Sequence, residues 1–275
     1  MKIEDIYQEA CKTLSQHKIE NPSLNSGFIL EEVTGIKRLS LPLFFKSELT
    51  PSQVELIRNM LNRRVNHEPL QYILGYTEFY GYRLEVTPDV LIPRPETEYL
   101  IETIHHRLKK PERILDIGTG SGAIAITLKK LFPTAEVLAV DISLKALEIA
   151  KSNALANNAD ISFAYANIYS EQLGLFDLIV SNPPYVSEEE YSTLPNEVKN
   201  FEPKLALVGA EEGLFFYRQI FELSPLMLKT GGSLFLEIGE NQAEDIKIIA
   251  KSNKYQKVEI IKDLVGKNRI ILAQN

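Results

Sequence analysis

From Arg113 onward, the chain alternates segments typical of buried strands with segments typical of helices. The strand-like segments are RILDIG, EVLAVD, ISFAYA, FDLIVSN and GGSLFLEIG, and helical segments such as GAIAITLKKLF and SLKALEIAKSNALA lie between them. Strands that are apolar throughout and alternate with helices predict an α/β fold with a mainly parallel sheet covered on both faces. The last two strand-like segments, QKVEIIK and RIILAQ, are separated by only about six residues, so we expect them to be antiparallel to each other.

The first 72 residues have a different pattern. Apolar residues recur at helical spacing, for example at Ile3, Ile6, Ala10 and Leu14, and prolines interrupt the series. We predict a small bundle of short helices over residues 1–72. Residues 73–92 are rich in aromatic and β-branched residues and contain two glycines, which is typical of a β-hairpin. We predict that this hairpin links the bundle to a larger domain over residues 93–275.

Charge and cysteine content exclude several classes of protein. The 30 basic and 37 acidic residues give a formal net charge of −7, and the first 71 residues hold nine of each sign. Sequence-independent binding to a phosphate backbone needs clustered Lys and Arg, so we expect no direct nucleic-acid partner, although the net charge leaves a local basic groove open. The single cysteine, Cys11, excludes an internal disulfide and a CxxC metal site, and no apolar run approaches the ~18 residues of a membrane span. We therefore predict a cytoplasmic protein with no metal and no membrane contact.

A glycine-rich turn follows the first strand of the predicted sheet. The segment DIGTGSGA contains Gly118, Gly120 and Gly122 and opens a helix, a place where glycine lets the backbone turn tightly and approach a ligand. Asp141 ends the second strand, 21 residues after Gly120, where its carboxylate can accept hydrogen bonds from two ribose hydroxyls. Two plainer interpretations remain open: the glycines only form a tight corner, and Asp141 only caps the following helix.

The spacing of the glycines favours one kind of nucleotide. Dinucleotide-binding turns have the spacing GxGxxG, whereas this turn has GxGxG after Asp116 and gives no clear room for a pyrophosphate. A ligand that contains adenosine but no phosphates fits better. Asn167, at the end of the third strand, then meets the edge of the adenine, or else it is an ordinary residue of a surface turn.

The tetrapeptide Asn182-Pro183-Pro184-Tyr185 directly follows the fourth buried strand, FDLIV. This position, at the carboxyl end of the strand, lies beside the crevice that opens next to the first strand of a doubly wound sheet. Two consecutive prolines fix φ and remove two N–H donors, so the backbone there offers only carbonyl acceptors. Two prolines can also do no more than end a strand.

Acceptors at this place fit methyl transfer to a planar NH2 group. The lone pair of an amide or exocyclic amine nitrogen is delocalised, so the nitrogen must be held in line with the methyl donor. The side-chain oxygen of Asn182 and the carbonyl of Pro183 can accept its two N–H bonds, while the ring of Tyr185 packs on the planar group. Positioning of this kind can lower a reaction barrier by up to about 7–11 kcal/mol.

Taken together, these segments resemble a known family. DIGTGSGAIAI, AVDIS with ALEIAKSNA, and SNPPYV are similar to segments of the protein-(glutamine-N5) methyltransferases that act on class 1 peptide chain release factors. LIPRPETE, EPKLAL, EGLFFYRQI, LEIGENQ and DLVGKNR extend the resemblance over nearly the whole chain. It implies a Rossmann-like class I methyltransferase sheet, mostly parallel with an antiparallel last strand, preceded by a helical substrate-docking domain and the hairpin linker.

The resemblance also implies roles for individual residues. The cofactor is S-adenosylmethionine, converted to S-adenosylhomocysteine, and the residues that bind it are Gly118, Thr119, Gly120, Ser121, Gly122 and Asp141. Asn167 and Asn182 are expected to join them, and Ile168 to contact the adenine by packing or by its backbone N–H. The residues expected to hold and position the glutamine of the release factor's Gly-Gly-Gln motif are Asn182, Pro183, Pro184 and Tyr185. Arg94 and Glu96 are expected over the same pocket, although on sequence alone they also fit a salt-bridged helix start.

Two other functions compete with this one. An adenine-N6 methyltransferase acting on DNA or RNA faces the same chemical problem and shares the tetrapeptide, but it should carry a basic recognition region. A cofactor-binding scaffold without methyl transfer has no reason to keep acceptors beside the cofactor turn. The neutral helical bundle and the negative net charge count against a nucleic-acid substrate. The resemblance implies that the planar NH2 group belongs to a glutamine side chain on a protein, and this is the substrate that we predict.

Overall fold

The computed structural model of the protein describes residues 1–167 and 173–274. Ile168, for which we expect a contact with adenine, lies outside the described residues. The chain forms two compact units, and each consists of two segments of sequence. The first unit comprises Met1–Gly75 and Pro195–Phe201, and the second comprises Tyr76–Leu194 and Glu202–Asn275.

Helices and strands follow one another in the predicted alternation. The α-helices are α1 (Ile3–Gln16), α2 (Pro22–Thr34), α3 (Pro51–Val65), α4 (Leu70–Leu74), α5 (Pro95–Arg107), α6 (Ala123–Leu131), α7 (Leu144–Ala156), α8 (Glu188–Thr193), α9 (Asn196–Phe201), α10 (Phe215–Met227) and α11 (Ala243–Ser252). The strands are β1 (Tyr76–Phe79), β2 (Tyr82–Glu85), β3 (Arg113–Ile117), β4 (Glu136–Asp141), β5 (Ser162–Tyr165), β6 (Phe176–Ser181), β7 (Leu228–Glu237), β8 (Lys257–Lys262) and β9 (Asn268–Gln274). No helix in the described ranges has both the length and the apolar character that crossing a membrane requires.

The first unit is the predicted bundle of short helices. Its core includes the apolar residues of α1 that recur at helical spacing, and α1, α2 and α3 pack against one another. Helix α3 begins with a capping box, in which the Thr50 hydroxyl accepts from the Gln53 amide at 3.2 Å and Gln53 Oε1 accepts from the Thr50 amide at 3.0 Å. Caps of this kind stabilise a helix by about 1 kcal/mol.

The predicted hairpin is formed by β1 and β2, which pair antiparallel. Their two-residue turn, Tyr80 and Gly81, has positive φ at both positions (51° and 78°), as a type I′ turn requires. The hairpin starts at Tyr76 rather than at residue 73, because α4 continues to Leu74. Gly75, with φ of 82°, ends that helix.

The second unit contains a seven-stranded sheet with the order β5-β4-β3-β6-β7-β9-β8. Strand β9 is antiparallel to both of its neighbours, and every other pairing is parallel, which confirms the prediction of a mostly parallel sheet with an antiparallel last strand. Successive strand residues face opposite sides: Ile114 belongs to a core cluster with α5 and α6, and Leu115 to a cluster with α10 and α11. Helices therefore cover both faces.

Strand order brings the glycine-rich turn and the Asn182 tetrapeptide together. From β3 the chain builds the sheet outward to β4 and β5, and then returns to place β6 on the other side of β3. A ligand crevice opens at the carboxyl ends of strands at such a reversal. Ile117 and Ser181 are paired there, and the Ser181 hydroxyl donates to the Ile117 carbonyl at 2.7 Å.

Candidate active site

A cavity of about 340 Å³ opens at the carboxyl ends of β3, β4 and β6. Seven of the residues that the sequence singles out line it: Gly118, Gly120, Asp141, Asn167, Asn182, Pro183 and Pro184. Six others do not line it: Arg94, Glu96, Thr119, Ser121, Gly122 and Tyr185. The structure thus brings the glycine-rich turn, the acid after the second strand and most of the tetrapeptide around one space.

The glycine-rich turn presents bare backbone to the cavity. Gly118 and Gly120 have φ of 72° and 55°, and no atom lies within 4 Å of the position where a Cβ would stand at either residue. The amides of Gly118 and Thr119 both donate to the Val140 carbonyl, at 2.9 and 3.1 Å, which fixes the turn against β4. Gly122 also matters for packing, because a Cβ there would come within 3.2 Å of Ala150 in helix α7. It allows α6 and α7 to pack closely.

Asp141 is held by backbone amides at the wall of the cavity. Its Oδ2 accepts from the Gly120 amide and its Oδ1 from the Ser143 amide, both at 2.9 Å. Burial raises the pKa of the Asp141 carboxyl, and the hydrogen bonds from these amides oppose that increase. The N-cap of α7 is Ser143, whose hydroxyl accepts from the Ala146 amide at 3.2 Å. Capping by Asp141 is therefore not what starts this helix.

Asp116, which precedes the first glycine of the turn, was not among the residues singled out from the sequence. Its carboxyl group is fully buried, and Oδ2 accepts from the Thr119 hydroxyl at 2.7 Å. Within the described residues, Oδ1 makes no hydrogen bond of ordinary geometry. Burial, with a smaller contribution from the charge of Asp141, raises the pKa of Asp116 to about 7. The Thr119 hydroxyl and the Ala125 amide oppose this increase, and Asp116 lies behind the turn rather than in the wall of the cavity.

The side chain of Asn182 is connected to two residues that the sequence did not single out. Asn182 Nδ2 donates to the Thr97 hydroxyl oxygen at 3.1 Å, and the Thr97 hydroxyl donates to Glu237 Oε2 at 2.7 Å. Thr97 and Glu237 are both buried. The only signal for them in the sequence was their position inside the segments LIPRPETE and LEIGENQ.

Tyr185 lies beside the cavity and packs against the core cluster that contains α10. Burial raises the pKa of its hydroxyl, so the phenol is neutral at physiological pH. Its carbonyl oxygen accepts from Gln242 Nε2 at 3.0 Å. Stacking of the ring on a planar substrate group stays a prediction.

Arg94 and Glu96 stand at the start of α5. Arg94 Nη2 donates to Glu202 Oε1 at 2.6 Å, and Glu202 is only 5% exposed. The other oxygen of Glu202 accepts from the Ile92 amide at 3.3 Å. Glu202 therefore fixes the segment that precedes α5. The salt bridge between Arg94 and Glu202 also agrees with the alternative interpretation, in which Arg94 belongs to a salt-bridged helix start. Across residues 1–167 and 173–274, no group of three or more His, Cys, Asp or Glu is arranged to hold a metal ion.

Comparison with protein families divides the chain at the same region as the hairpin. Residues 95–200 match the family described as a methyltransferase small domain, and residues 5–75 match the family described as a PrmC N-terminal domain. Among solved structures, a methyltransferase from Pyrococcus furiosus has a TM-score of 0.54 at 24% identity and covers 70% of this chain and 88% of its own. This likeness shows a methyltransferase fold.

Curated relatives cover almost the whole chain. The release factor glutamine methyltransferase of Fusobacterium nucleatum is 38% identical over 98% of this chain and 78% of its own length. That of Bacillus cereus is 38% identical over 97% of this chain and 98% of its own, and that of Bacteroides thetaiotaomicron is 41% identical over 88% of both. Identity at this level, over nearly complete chains, shows that the protein belongs to the family of release factor glutamine methyltransferases.

Proposed function

We propose that the protein transfers a methyl group from S-adenosylmethionine to the side-chain nitrogen (N5) of the glutamine in the Gly-Gly-Gln motif of class 1 peptide chain release factors. The observation that carries this proposal is that the glycine-rich turn and Asn182 border a single cavity. The relatives, which are named for the same reaction, support the choice of glutamine over a nucleic-acid base. Because its substrate serves translation, we propose that the enzyme works in the cytoplasm.

The cavity suits S-adenosylmethionine, which supplies a methyl group on a positively charged sulfur. The open backbone at Gly118 and Gly120 gives the ligand a surface to lie on. The carboxyl of Asp116, buried behind the turn, would accept from the ligand's ammonium group, and Asp141, at the cavity wall, from its ribose hydroxyls. Asn167, also in the wall, would face the adenine edge. Thr119 would hold Asp116 in place through its hydroxyl, and Ser121 would act through the backbone of the turn.

The tetrapeptide would hold the methyl-accepting nitrogen. Asn182 Oδ1 and the Pro183 carbonyl would accept the two N–H bonds of the glutamine amide, with Pro184 shaping the wall and Tyr185 lying against the planar group. Held in this way, the nitrogen would face the methyl group that bound S-adenosylmethionine supplies, and after transfer it would release one proton to water. A strong base is unnecessary because the nitrogen becomes acidic only after transfer. Orientation therefore carries most of the rate enhancement.

We also propose a division of labour along the sequence. Residues 1–72 would dock the body of the release factor, residues 73–92 would serve as a linker, and residues 93–275 would bind the cofactor and carry out transfer. The match of residues 5–75 to a PrmC N-terminal domain supports a separate role for the bundle. A short Gly-Gly-Gln peptide should then give a much higher KM than the whole release factor. Equal KM values would contradict docking outside the cavity.

The proposed activity is tested with purified protein and S-adenosylmethionine labelled in the methyl group. A class 1 release factor should become labelled at its Gly-Gly-Gln glutamine, which peptide mass spectrometry locates, while DNA and RNA stay unlabelled. Label in nucleic acid alone would contradict the proposed substrate. Label in none of these would contradict methyl transfer to them altogether.

Two variants separate cofactor binding from transfer. Asn182→Ala should reduce kcat by about a hundredfold or more, because it removes an acceptor for the substrate nitrogen, while cofactor affinity is largely kept. Asp141→Ala should weaken cofactor affinity about tenfold or more, since it removes an acceptor for ribose hydroxyls. Calorimetry and single-turnover kinetics measure the two effects. Transfer by Asn182→Ala at the normal rate would refute the role given to the tetrapeptide.

A further inference from the structure

Three side chains from three separate elements form a line of hydrogen bonds that ends at the cavity. Glu237 is the last residue of β7, Thr97 lies in the first turn of α5, and Asn182 follows β6. The Thr97 oxygen lies 2.7 Å from Glu237 Oε2 and 3.1 Å from Asn182 Nδ2. Glu237 is 1% exposed and Thr97 4% exposed, so water does not compete for these bonds.

The direction of these bonds follows from their donors. An ionised carboxylate can only accept, so Glu237 takes the single hydroxyl proton of Thr97. Thr97 can then only accept from Asn182, which must turn its NH2 group toward Thr97. The opposite atom, Asn182 Oδ1, makes no hydrogen bond to the described residues and is left for a ligand in the cavity that Asn182 lines.

We infer that Thr97 and Glu237 are positioning residues that hold the amide of Asn182 with its oxygen toward the substrate nitrogen. A carboxamide is nearly symmetric in shape, so packing alone does not distinguish oxygen from NH2. In the wrong orientation Asn182 would present a donor to the N–H bonds of the substrate, and the nitrogen would lose an acceptor. The inference rests on the proposed function, because it concerns how the same site meets its glutamine.

The charge state of Glu237 makes this orientation sensitive to pH. Burial raises the pKa of Glu237 to about 7; the hydrogen bond from Thr97, the charge of Arg269 and the hydroxyl of Tyr185 lower it, and the charge of Glu96 raises it. Protonated Glu237 can donate to Thr97, which can then donate to Asn182 and favour the reversed amide. Below the pKa of Glu237, Asn182 therefore loses its orientation as an acceptor and activity falls. Above that pKa, Asn182 keeps its oxygen toward the substrate and the enzyme is active.

A purely structural role for the same residues would give different results. Tyr217 already donates to the backbone carbonyl of Glu237 at 2.9 Å and is fully buried, so the end of β7 has an anchor that does not involve Thr97. If Thr97 only satisfied the buried carboxylate, its loss would lower stability without a selective effect on kcat or on the pH profile. The readouts are therefore kcat, KM and their dependence on pH.

The test compares kcat of Thr97→Val, Thr97→Ser and Glu237→Gln with that of the wild type between pH 5.5 and 8.5, using a class 1 release factor as substrate. S-adenosylmethionine is saturating at each pH, so that titration of Asp116, whose pKa is also about 7, does not contribute through cofactor affinity. Thr97→Val keeps the shape but has no hydroxyl, so kcat should fall about tenfold or more with little change in KM or cofactor affinity. Thr97→Ser restores the hydroxyl and should return kcat to within about threefold of wild type. Glu237→Gln should lower kcat and remove the decline that the wild type shows below about pH 7.

The results test the proposed function and the orientation of Asn182 separately. A wild type that does not label the release factor contradicts the proposed function. An active wild type with undiminished kcat in Thr97→Val, or with the same decline at low pH in Glu237→Gln, overturns the inference alone. Should Thr97→Val fail to fold, as its melting temperature would show, the pH profile of Glu237→Gln decides.

A double variant, Thr97→Val with Glu237→Gln, tests whether both residues act through Asn182. If they do, its kcat should be little lower than that of the worse single variant, whereas additive losses of kcat count against the inference.

Discussion

Two aspartates at adjacent strand ends have opposite surroundings. Asp141 receives backbone amides at 2.9 Å on both oxygens, whereas Asp116 is fully buried and, among the described residues, one of its oxygens has no hydrogen bond of ordinary geometry. In the folded chain the pKa of Asp116 is about 7, against an ordinary value of 3.8. Between these pH values the folded state binds more protons than the unfolded state, so stability falls as the pH rises. Above pH 7 this cost is fully present.

Asp116→Asn should remove both the cost of burying an ionised carboxyl and the charged acceptor for the ligand's ammonium group. Without cofactor, we expect the variant to be more stable than the wild type at pH 8, by on the order of 1–3 kcal/mol, and to gain little or nothing at pH 4. Its affinity for S-adenosylmethionine should fall about tenfold or more, because the ammonium group loses a charged acceptor. Thermal unfolding at the two pH values and calorimetry measure both effects. Unchanged affinity would remove Asp116 from the binding site.

At the scale of elements, the sequence predicted the features that depend on local pattern. Apolar runs and their alternation with helices predicted the parallel sheet, and the short link before β9 predicted its reversal. Motif position relative to strand ends predicted the wall of the cavity at Gly118 and Asn182. The hydrogen bonds of Thr97 could not be predicted, because its partners are 85 and 140 residues away in sequence. They meet only through strand order and the packing of α5.

The loop between α9 and α10 packs against the backbone of the tetrapeptide. This contact is a second feature that no local sequence pattern predicts. A Cβ added to Gly213 would overlap the Tyr185 carbonyl oxygen and come within 2.6 Å of Gln242 Nε2. A Cβ added to Gly209 would come within 2.6 Å of the Pro184 carbonyl oxygen. Both glycines therefore let the loop approach the backbone of the tetrapeptide.

Gly213→Ala should displace the tetrapeptide and lower kcat about tenfold or more, since small misplacements of positioning groups are costly. Gly81→Ala is the matched control: its φ of 78° is close to the 84° of Gly213, but no atom lies within 4 Å of the added Cβ. The control should lose about 1–2 kcal/mol of stability through backbone strain and keep its kcat. Equal kcat values for the two variants would contradict the role of Gly213.

At the scale of the whole molecule, the division into units does not follow the order of the sequence. Pro195–Phe201 belongs to the N-terminal unit, although residues on both sides of it belong to the other unit. Within the N-terminal unit, the buried guanidinium of Arg64 joins this segment to the bundle. It donates to Glu197 Oε2 at 2.9 Å, to Asn25 Oδ1 at 2.9 Å and to the Glu68 carbonyl at 3.0 Å.

Replacing Arg64 should destabilise the packing of residues 195–201 on the helical bundle. Arg64→Met should cost about 2–4 kcal/mol, because it leaves the acceptors in the bundle unpaired, and should speed hydrogen exchange of the amides at 195–201. Glu197→Gln should cost less than about 1 kcal/mol, since the Glu197 side chain is 42% exposed and the amide oxygen can still accept. Urea unfolding and exchange mass spectrometry measure the two effects. Equal costs would mean that Arg64 does not depend on its contacts inside the bundle.

The position of Glu197 also bears on how the protein is made. Arg64 and Glu197 are 133 residues apart, so at a synthesis rate of about 5–20 residues per second the nascent bundle waits roughly 7–27 s for its last helix. During that interval Arg64 has no carboxylate partner, and the N-terminal unit becomes complete only after much of the sheet has been synthesised. A gene fragment that ends after residue 75 would encode an unfinished bundle. Transfer of residues 1–75 alone to another gene would leave Pro195–Phe201 behind.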